Sequence, residues 1–147
     1  MASRTGRCLC GAARFTLAET PSACSACHCG MCRRWSGGVE MGVLVQPGGI
    51  AWDADETLRT YASSDWAERG FCAACGTSLF WRLTAEGPMQ GMLSLGVGAL
   101  DDAAGLTFDA EVYIDHKPES YAFAGERNRM TEAEVMAMVG AAPGGGD

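Results

Sequence analysis

The sequence lacks any run of about 20 consecutive apolar residues, the length that an α-helix needs to cross a bilayer. We therefore expect no membrane partner. An apolar stretch of signal-peptide length is also missing before the first cysteine, where residues 1–7 read MASRTGR. We therefore expect a cytoplasmic location, where cysteine thiols stay reduced.

Positive charge is scarce as well. The chain has 11 Lys and Arg residues against 18 Asp and Glu residues, which gives a formal net charge of -7. An acidic surface repels phosphate backbones, so nucleic acid is not expected as a general partner.

The length and composition are those of one compact domain. The chain has 147 residues, of which 48% are hydrophobic and 20% are charged, as is usual for a globular protein. We predict a single domain over residues 1–140. Residues 141–147, AAPGGGD, have little to bury and are predicted to form a disordered tail.

Short apolar or alternating runs separated by turn-rich segments predict a mainly β fold. The predicted strands are Gly11–Leu17, Val39–Gln46, Thr57–Ala62, Ala67–Phe71, Thr77–Leu83, Gln90–Val97 and Phe108–Ile114.

One short helix is predicted near the C-terminus, over Thr131–Val139. Thr131 followed three residues later by Glu134 is typical of a capping box. The apolar side chains of Val135, Met138 and Val139 would form a stripe facing the core.

The sequence contains eight cysteines, an even number that in a short secreted chain would indicate disulfides. The predicted reducing location argues against that interpretation. A disulfide within Cys-x-Cys also needs a very small ring, whereas Cys-x-Cys and Cys-x-x-Cys spacings suit a bidentate grip on a metal ion. We therefore predict metal binding.

Two separated pairs supply four thiolates, enough to close a tetrahedral zinc site with a structural role. Gly11 and Gly76 follow the pairs and permit the positive φ that a tight metal-binding turn requires. The predicted ligands of this site are Cys8, Cys10, Cys72 and Cys75.

A second group of cysteines, Cys27, Cys29 and Cys32, is one ligand short of a tetrahedron. Three protein ligands with one open position are typical of catalytic zinc. Cys24 offers an alternative, because a fourth sulfur would close a second structural site or hold an iron-sulfur cluster. We expect Cys24 to be a free neighbour, since the compact triple has no geometric need of it.

Residues around the second group indicate a pocket. His28 lies between two cysteines, which turns its ring away from the metal, and we expect it behind the ligands or on the substrate side, with surface exposure as the alternative. Arg33 and Arg34 offset thiolate charge. Trp35 is expected to form a pocket wall or a core anchor.

The arrangement of these motifs resembles the glutathione-dependent formaldehyde-activating enzyme family, which includes the centromere protein V type domains. The resemblance extends over about residues 6 to 124. It rests on the segments 8–11, 27–33, 71–76, 95–101 and 112–114, which read CLCG, CHCGMCR, FCAACG, LGVGALD and VYI. Cys24, an additional thiol, and Tyr121, where the family often has tryptophan, depart from the pattern.

The resemblance implies an Mss4-like, zinc-stapled β-sheet fold with two zinc ions. One ion would be structural, on the four-thiolate set, and the other would be more loosely held, on the three-cysteine set. The implied partners are a small-molecule thiol such as glutathione and an aldehyde such as formaldehyde, which combine to a hemithioacetal.

For this lyase-type reaction we assign catalytic roles to Cys27, Cys29, Cys32 and Arg33, with Arg33 steadying a carboxylate or a developing alkoxide. No general base is identifiable, because solvation is the expected state of Asp65, Glu68 and Glu111. The alternative is a zinc-stabilised interaction module without catalysis.

Overall fold

The computed structural model describes residues 1–139, which contain eleven β-strands and two α-helices. The strands are β1 (Thr5–Arg7), β2 (Arg14–Leu17), β3 (Ala23–Cys27), β4 (Glu40–Val45), β5 (Ile50–Ala54), β6 (Leu58–Ala62), β7 (Ala67–Cys72), β8 (Ser78–Leu83), β9 (Leu93–Gly96), β10 (Thr107–Val112) and β11 (Asn128–Met130). The helices are α1 (Gly30–Ser36) and α2 (Glu132–Val139). The predicted mainly β fold with a short C-terminal helix is confirmed.

The chain divides into two compact units. The first comprises Met1–Cys24 and Gly42–Thr107, and the second comprises Ser25–Met41 and the chain from Phe108 onward. That residues 1–140 behave as a single domain stays a prediction, and the predicted tail lies outside the described residues. Within the described part of the chain, neither helix is long and apolar enough to cross a membrane.

The first unit is built from antiparallel strands. Strands β1, β2 and β5 form a three-stranded sheet in that order, while a second set follows the order β4-β9-β8-β7-β6. In β9 the buried side chains of Leu93 and Leu95 alternate with Ser94 and Gly96, as a strand with one core-facing side requires. This core includes the buried rings of Phe15 and Phe80.

In the second unit the strand order is β11-β10-β3, with β10 and β11 parallel. Helix α1 begins after Cys29, the N-cap residue, and ends at Gly37, which has a φ of 86°. Helix α2 has the predicted capping box: Glu134 N donates to Thr131 Oγ1 at 3.3 Å, and Thr131 N donates to Glu134 Oε1 at 3.1 Å.

The predicted apolar stripe of α2 is partly wrong. Met138 is 66% exposed, whereas Met136 is buried and packs with Cys29, Cys32 and Tyr113. The side chain of Val139 lies outside the described residues. Met136, rather than Met138, is the methionine of α2 that packs against two cysteines of the second group. Helix α2 therefore covers the segment that carries this group.

Candidate metal centres

The structure brings four thiols together in the first unit, although two of them follow the others by more than sixty residues. The sulfur atoms all lie within 4.8 Å of one another. The Cys8 and Cys10 sulfurs are 3.6 Å apart, and those of Cys10 and Cys72 are 3.9 Å apart. Tetrahedral zinc with bonds of about 2.3 Å places its sulfurs about 3.8 Å apart. The four-thiol group, Cys8, Cys10, Cys72 and Cys75, therefore fits zinc.

Tight turns hold these cysteines, as the following glycines predict. Gly11 N donates to Cys8 O at 3.1 Å, and Gly76 N donates to Cys72 O at 2.8 Å. Both glycines have the predicted positive φ, 81° and 79°. A backbone amide also reaches a sulfur, since Ala13 N lies 3.3 Å from Cys8 Sγ. Such amide donors stabilise thiolate ligands.

Neighbouring hydroxyls favour thiolates within the four-thiol group. The pKa of Cys75 is lowered to about 5, chiefly by the Thr77 hydroxyl, which lies 3.2 Å from its sulfur. A hydrogen bond with Thr57 is the main cause of the lowered pKa of Cys72. At Cys10 a backbone hydrogen bond from Ala12 lowers the pKa, but neighbouring thiols and burial raise it to about 11 overall. The lowered pKa of Cys72 and of Cys75 favours the thiolate, the form that binds metal.

The second unit holds a group of three thiols. The sulfurs of Cys27, Cys29 and Cys32 lie within 4.8 Å of one another, and Cys24 is not among them. Cys27 ends β3, Cys29 caps α1, and Cys32 follows in the first turn of that helix. All eight cysteines belong to the described residues, and none forms a disulfide. The donors fit a zinc ion with one position left open.

In the three-thiol group the pKa of two cysteines is raised, in contrast to the lowered pKa of Cys72 and Cys75. The pKa of Cys27 is raised, first by its contact with Cys29, and that of Cys32 is raised, first by its contact with Cys27. Burial adds to both shifts, because it disfavours the charged form. A metal ion that binds here must therefore displace protons.

A cleft of about 770 Å³ lies along α1 and is lined in part by Arg33, Arg34, His116, Ser120 and Tyr121. No acidic side chain of the described residues lines it. Arg33 and Arg34 come directly after Cys32, so one short helix contributes both to the thiol group and to the cleft wall. The cleft is suited to an anionic ligand, because guanidinium groups pair with carboxylates.

His28 is completely buried, so the surface-exposed alternative is wrong. Its Nε2 lies 2.8 Å from Glu111 Oε1, and its Nδ1 lies 2.8 Å from Tyr121 Oη. The other carboxylate oxygen of Glu111 accepts hydrogen bonds from Arg127 Nη1 at 2.7 Å and Arg129 Nε at 2.9 Å. We call these five residues the His28 network. Both ring nitrogens of His28 thus have protein partners, and His28 is not a member of the three-thiol group, in agreement with the expectation that its ring points away from the metal.

The solvated state expected of Glu111 is also wrong, because its side chain is only 2% exposed. Desolvation raises the pKa of this carboxyl, but hydrogen bonds from Arg127, His28 and Arg129 outweigh it and lower the pKa overall. Glu111 is therefore a buried, paired carboxylate. Sequence reasoning missed this network, since Glu111 faces Arg129 only through the parallel pairing of β10 and β11.

These observations define a class: a small, mainly β protein with a four-thiol group, a three-thiol group and a cationic cleft. Residues 3–116 match the family model of the glutathione-dependent formaldehyde-activating enzyme, and the chain belongs to that family.

A protein of Schizosaccharomyces pombe, named as an uncharacterized lyase, is 36% identical over 135 residues, covering 89% of this chain and 93% of that protein. A crystal structure of a Rhodobacter sphaeroides protein matches with a TM-score of 0.51 and 20% identity, covering 66% of this chain and 87% of the other. The latter likeness shows the fold alone. The family and the lyase-named relative support an enzyme of the lyase type.

Proposed function

We propose that the protein is a zinc-dependent carbon-sulfur lyase-type enzyme that adds a glutathione-like thiol to a small aldehyde such as formaldehyde, and catalyses the reverse cleavage. In the forward direction a bond forms between sulfur and the carbonyl carbon. The thiol loses its proton, and the carbonyl oxygen gains one, so the product is a hemithioacetal. The proposal places this reaction in the cytoplasm.

The observation that carries the proposal is the three-thiol group. Its three donors leave one position for an incoming ligand, whereas the four-thiol group uses every tetrahedral position. When bound at the three-thiol group, zinc would supply Lewis-acid chemistry and lower the pKa of a thiol placed beside it.

The four-thiol group has a different proposed role. Cys8 and Cys10 lie between β1 and β2. Cys72 ends β7 and Cys75 lies in the β7–β8 connection, and all four belong to the first unit. Zinc held by Cys8, Cys10, Cys72 and Cys75 would join the two ends of the chain segment between Cys10 and Cys72. Its binding free energy would contribute to folding. It would take no part in the chemistry.

The cleft residues position the thiol substrate. Arg33 Nε donates to the carbonyl oxygen of His28 at 3.0 Å, which holds the guanidinium group in the cleft wall. A carboxylate of the substrate would pair with Arg33 and Arg34, and that pairing would orient the thiol toward the open position.

The proposal is tested by measuring the exchange rate between free formaldehyde and its glutathione adduct at equilibrium, by magnetisation exchange in NMR. The uncatalysed reaction also proceeds, so only a rate enhancement is informative. Zinc-loaded protein should accelerate exchange, and Cys29→Ser should abolish the acceleration. Cys24→Ala is the matched control, because it removes a buried thiol outside the group, and it should retain the activity.

Equal exchange rates for the wild-type protein and Cys29→Ser, across several thiols and aldehydes, would reject the enzyme. The zinc-stabilised interaction module would then be the better description, with both metal ions serving the fold.

A further inference from the structure

The outer edge of β6 carries unpaired backbone groups. Strand β6 is the last of the set β4-β9-β8-β7-β6, so within the described part of the chain only β7 pairs with it. Its residues are exposed after the first one, and the side chain of Tyr61 is 64% exposed. An edge strand of this kind presents N–H and C=O groups that can pair with another strand.

The pairing with β7 shows which backbone groups of β6 face outward. Ala73 N donates to Thr57 O at 2.8 Å, and these two residues continue the antiparallel register whose first pair is Leu58 and Cys72. Residues that exchange hydrogen bonds with the neighbouring strand alternate with residues whose backbone groups point away from it. The outward-facing residues of β6 are therefore Leu58, Thr60 and Ala62.

Leu58 already has hydrogen-bond partners at this edge. Its N–H donates to Asp55 O at 3.0 Å, and its carbonyl oxygen accepts from Arg59 Nη1 at 2.8 Å. The outward N–H and C=O groups of Thr60 and Ala62 are not paired with any strand among the described residues. A strand that joins this edge would therefore bond to Thr60 and Ala62.

A second copy of β6 fits these groups. When Thr60 of one copy lies opposite Ala62 of the other in an antiparallel pair, each outward N–H donates to the facing C=O and no group is left over. Tyr61 then faces its own counterpart in a non-hydrogen-bonded pair, where side chains are closest and aromatic pairs are stabilising. The alternative register, with Thr60 opposite itself, would pair Ala62 with Leu58, whose backbone groups are in use.

We propose that the protein forms a two-fold symmetric dimer by antiparallel pairing of β6 with β6 of a second copy. The same patch serves both copies, as an isologous contact requires. One short strand from each copy makes a small interface, so we expect a weak dimer with a dissociation constant in the micromolar range. The net charge of -7 on each copy opposes association, and added salt should therefore strengthen the dimer.

The first test measures association by analytical ultracentrifugation of the purified protein, from nanomolar to high micromolar concentration. We expect a reversible equilibrium between monomer and dimer. Thr60→Pro removes an outward N–H and no hydrogen bond to β7, so it should abolish the dimer while the chain stays folded. Thr60→Val is the matched control, because it keeps the N–H, and it should dimerise like the wild-type protein. Circular dichroism confirms the fold of both variants.

Tyr61 provides a test that leaves the backbone unchanged. Tyr61→Lys places two ammonium groups opposite each other and should weaken the dimer at least about fivefold, whereas Tyr61→Phe keeps the ring pair and should preserve the affinity. The side chain is exposed in the single chain, so both variants should melt like the wild-type protein at concentrations where all are monomeric.

Cross-linking tests the register. Photo-oxidation with persulfate joins two tyrosine rings in contact by a carbon–carbon bond, and each ring gives up one hydrogen atom to the oxidant. The wild-type dimer should become covalently linked and show dityrosine fluorescence. Tyr61→Phe should dimerise without being linked. Tyr121→Phe, at a tyrosine of the second unit, should be linked as efficiently as the wild-type protein.

Three results would overturn the proposal. A protein that stays monomeric at every concentration would leave the edge to a strand of another protein. A dimer that Thr60→Pro and Tyr61→Lys do not weaken would be held by a different surface. A covalent link that persists in Tyr61→Phe, or a wild-type dimer that cannot be linked, would show that Tyr61 does not face its counterpart.

Discussion

Cys32 N donates a hydrogen bond to Cys29 Sγ at 3.3 Å, so the residue that caps α1 is also a member of the three-thiol group. The usual N-cap residues use an oxygen atom for this purpose. Here the sulfur connects the start of the helix to the candidate metal site. The next residue after Cys32 is Arg33, and the helix therefore sets the spacing between the thiols and the cationic cleft.

The two metal ions should differ in how firmly they are held. We expect two zinc ions per chain after purification, with the ion of the three-thiol group lost first as chelator is raised, because it has fewer thiolate ligands. Elemental analysis at each chelator concentration measures this. A single ion per chain, or loss of both at one concentration, would contradict the partition.

Removing one ligand from each group should have different consequences. Cys75→Ser is expected to lower the melting temperature by at least about 10 °C, since a structural zinc contributes several kcal/mol and each kcal/mol is worth roughly 3 °C at this chain length. Cys29→Ser should remain folded and contain one zinc ion. Thermal unfolding followed by circular dichroism, with Cys24→Ala as the control, decides the matter. Equal melting temperatures for the two serine variants would show that the assigned roles are wrong.

Acid should release the two ions in a fixed order. In thiols with a raised pKa, protons compete better with a metal ion. The pKa is raised at Cys27 and Cys32, whereas in the four-thiol group it is raised to about 11 at Cys10 but lowered at Cys72 and lowered to about 5 at Cys75. As the pH falls from neutrality, the three-thiol group should therefore lose its ion at the higher pH. A zinc-sensitive dye during acid titration records the order, with Cys29→Ser lacking the first release step. Release of the four-thiol ion first would refute this prediction.

Arg33 should contribute to thiol binding. Arg33→Ala removes a cleft guanidinium, and we expect the KM for glutathione to rise about tenfold, with a smaller change in kcat, because a charged hydrogen bond is worth roughly 1.5 to 3 kcal/mol. Steady-state exchange kinetics measure both constants. Arg59→Ala is the matched control, since Arg59 is an exposed arginine of β6 in the first unit. An unchanged KM in Arg33→Ala would exclude carboxylate recognition by this residue.

Local patterns predicted much of the secondary structure. Each of the seven predicted strands overlaps an observed one, and the capping box of Thr131 and Glu134 begins α2 as predicted. Four strands and one helix were missed: β1 and β11 have three residues each, β3 and β5 have five each, and α1 has a sulfur at its N-cap. Brief elements carry too few periods of alternation to be distinguished from loops.

Cysteine spacing by itself predicted two groups of metal-binding thiols, because Cys-x-Cys and Cys-x-x-Cys restrict which sulfurs can meet at one ion, but it left the place of Cys24 open. The folded structure groups Cys27, Cys29 and Cys32 without Cys24. The surroundings of His28 were decided only by the tertiary structure. Its partners, Glu111 and Tyr121, follow it by 83 and 93 residues and are brought to it by the folded β10 strand and the segment beyond. No local spacing encodes such contacts, because they depend on which strands pair. They also depend on burial, since a buried polar group is stable only when it is hydrogen-bonded.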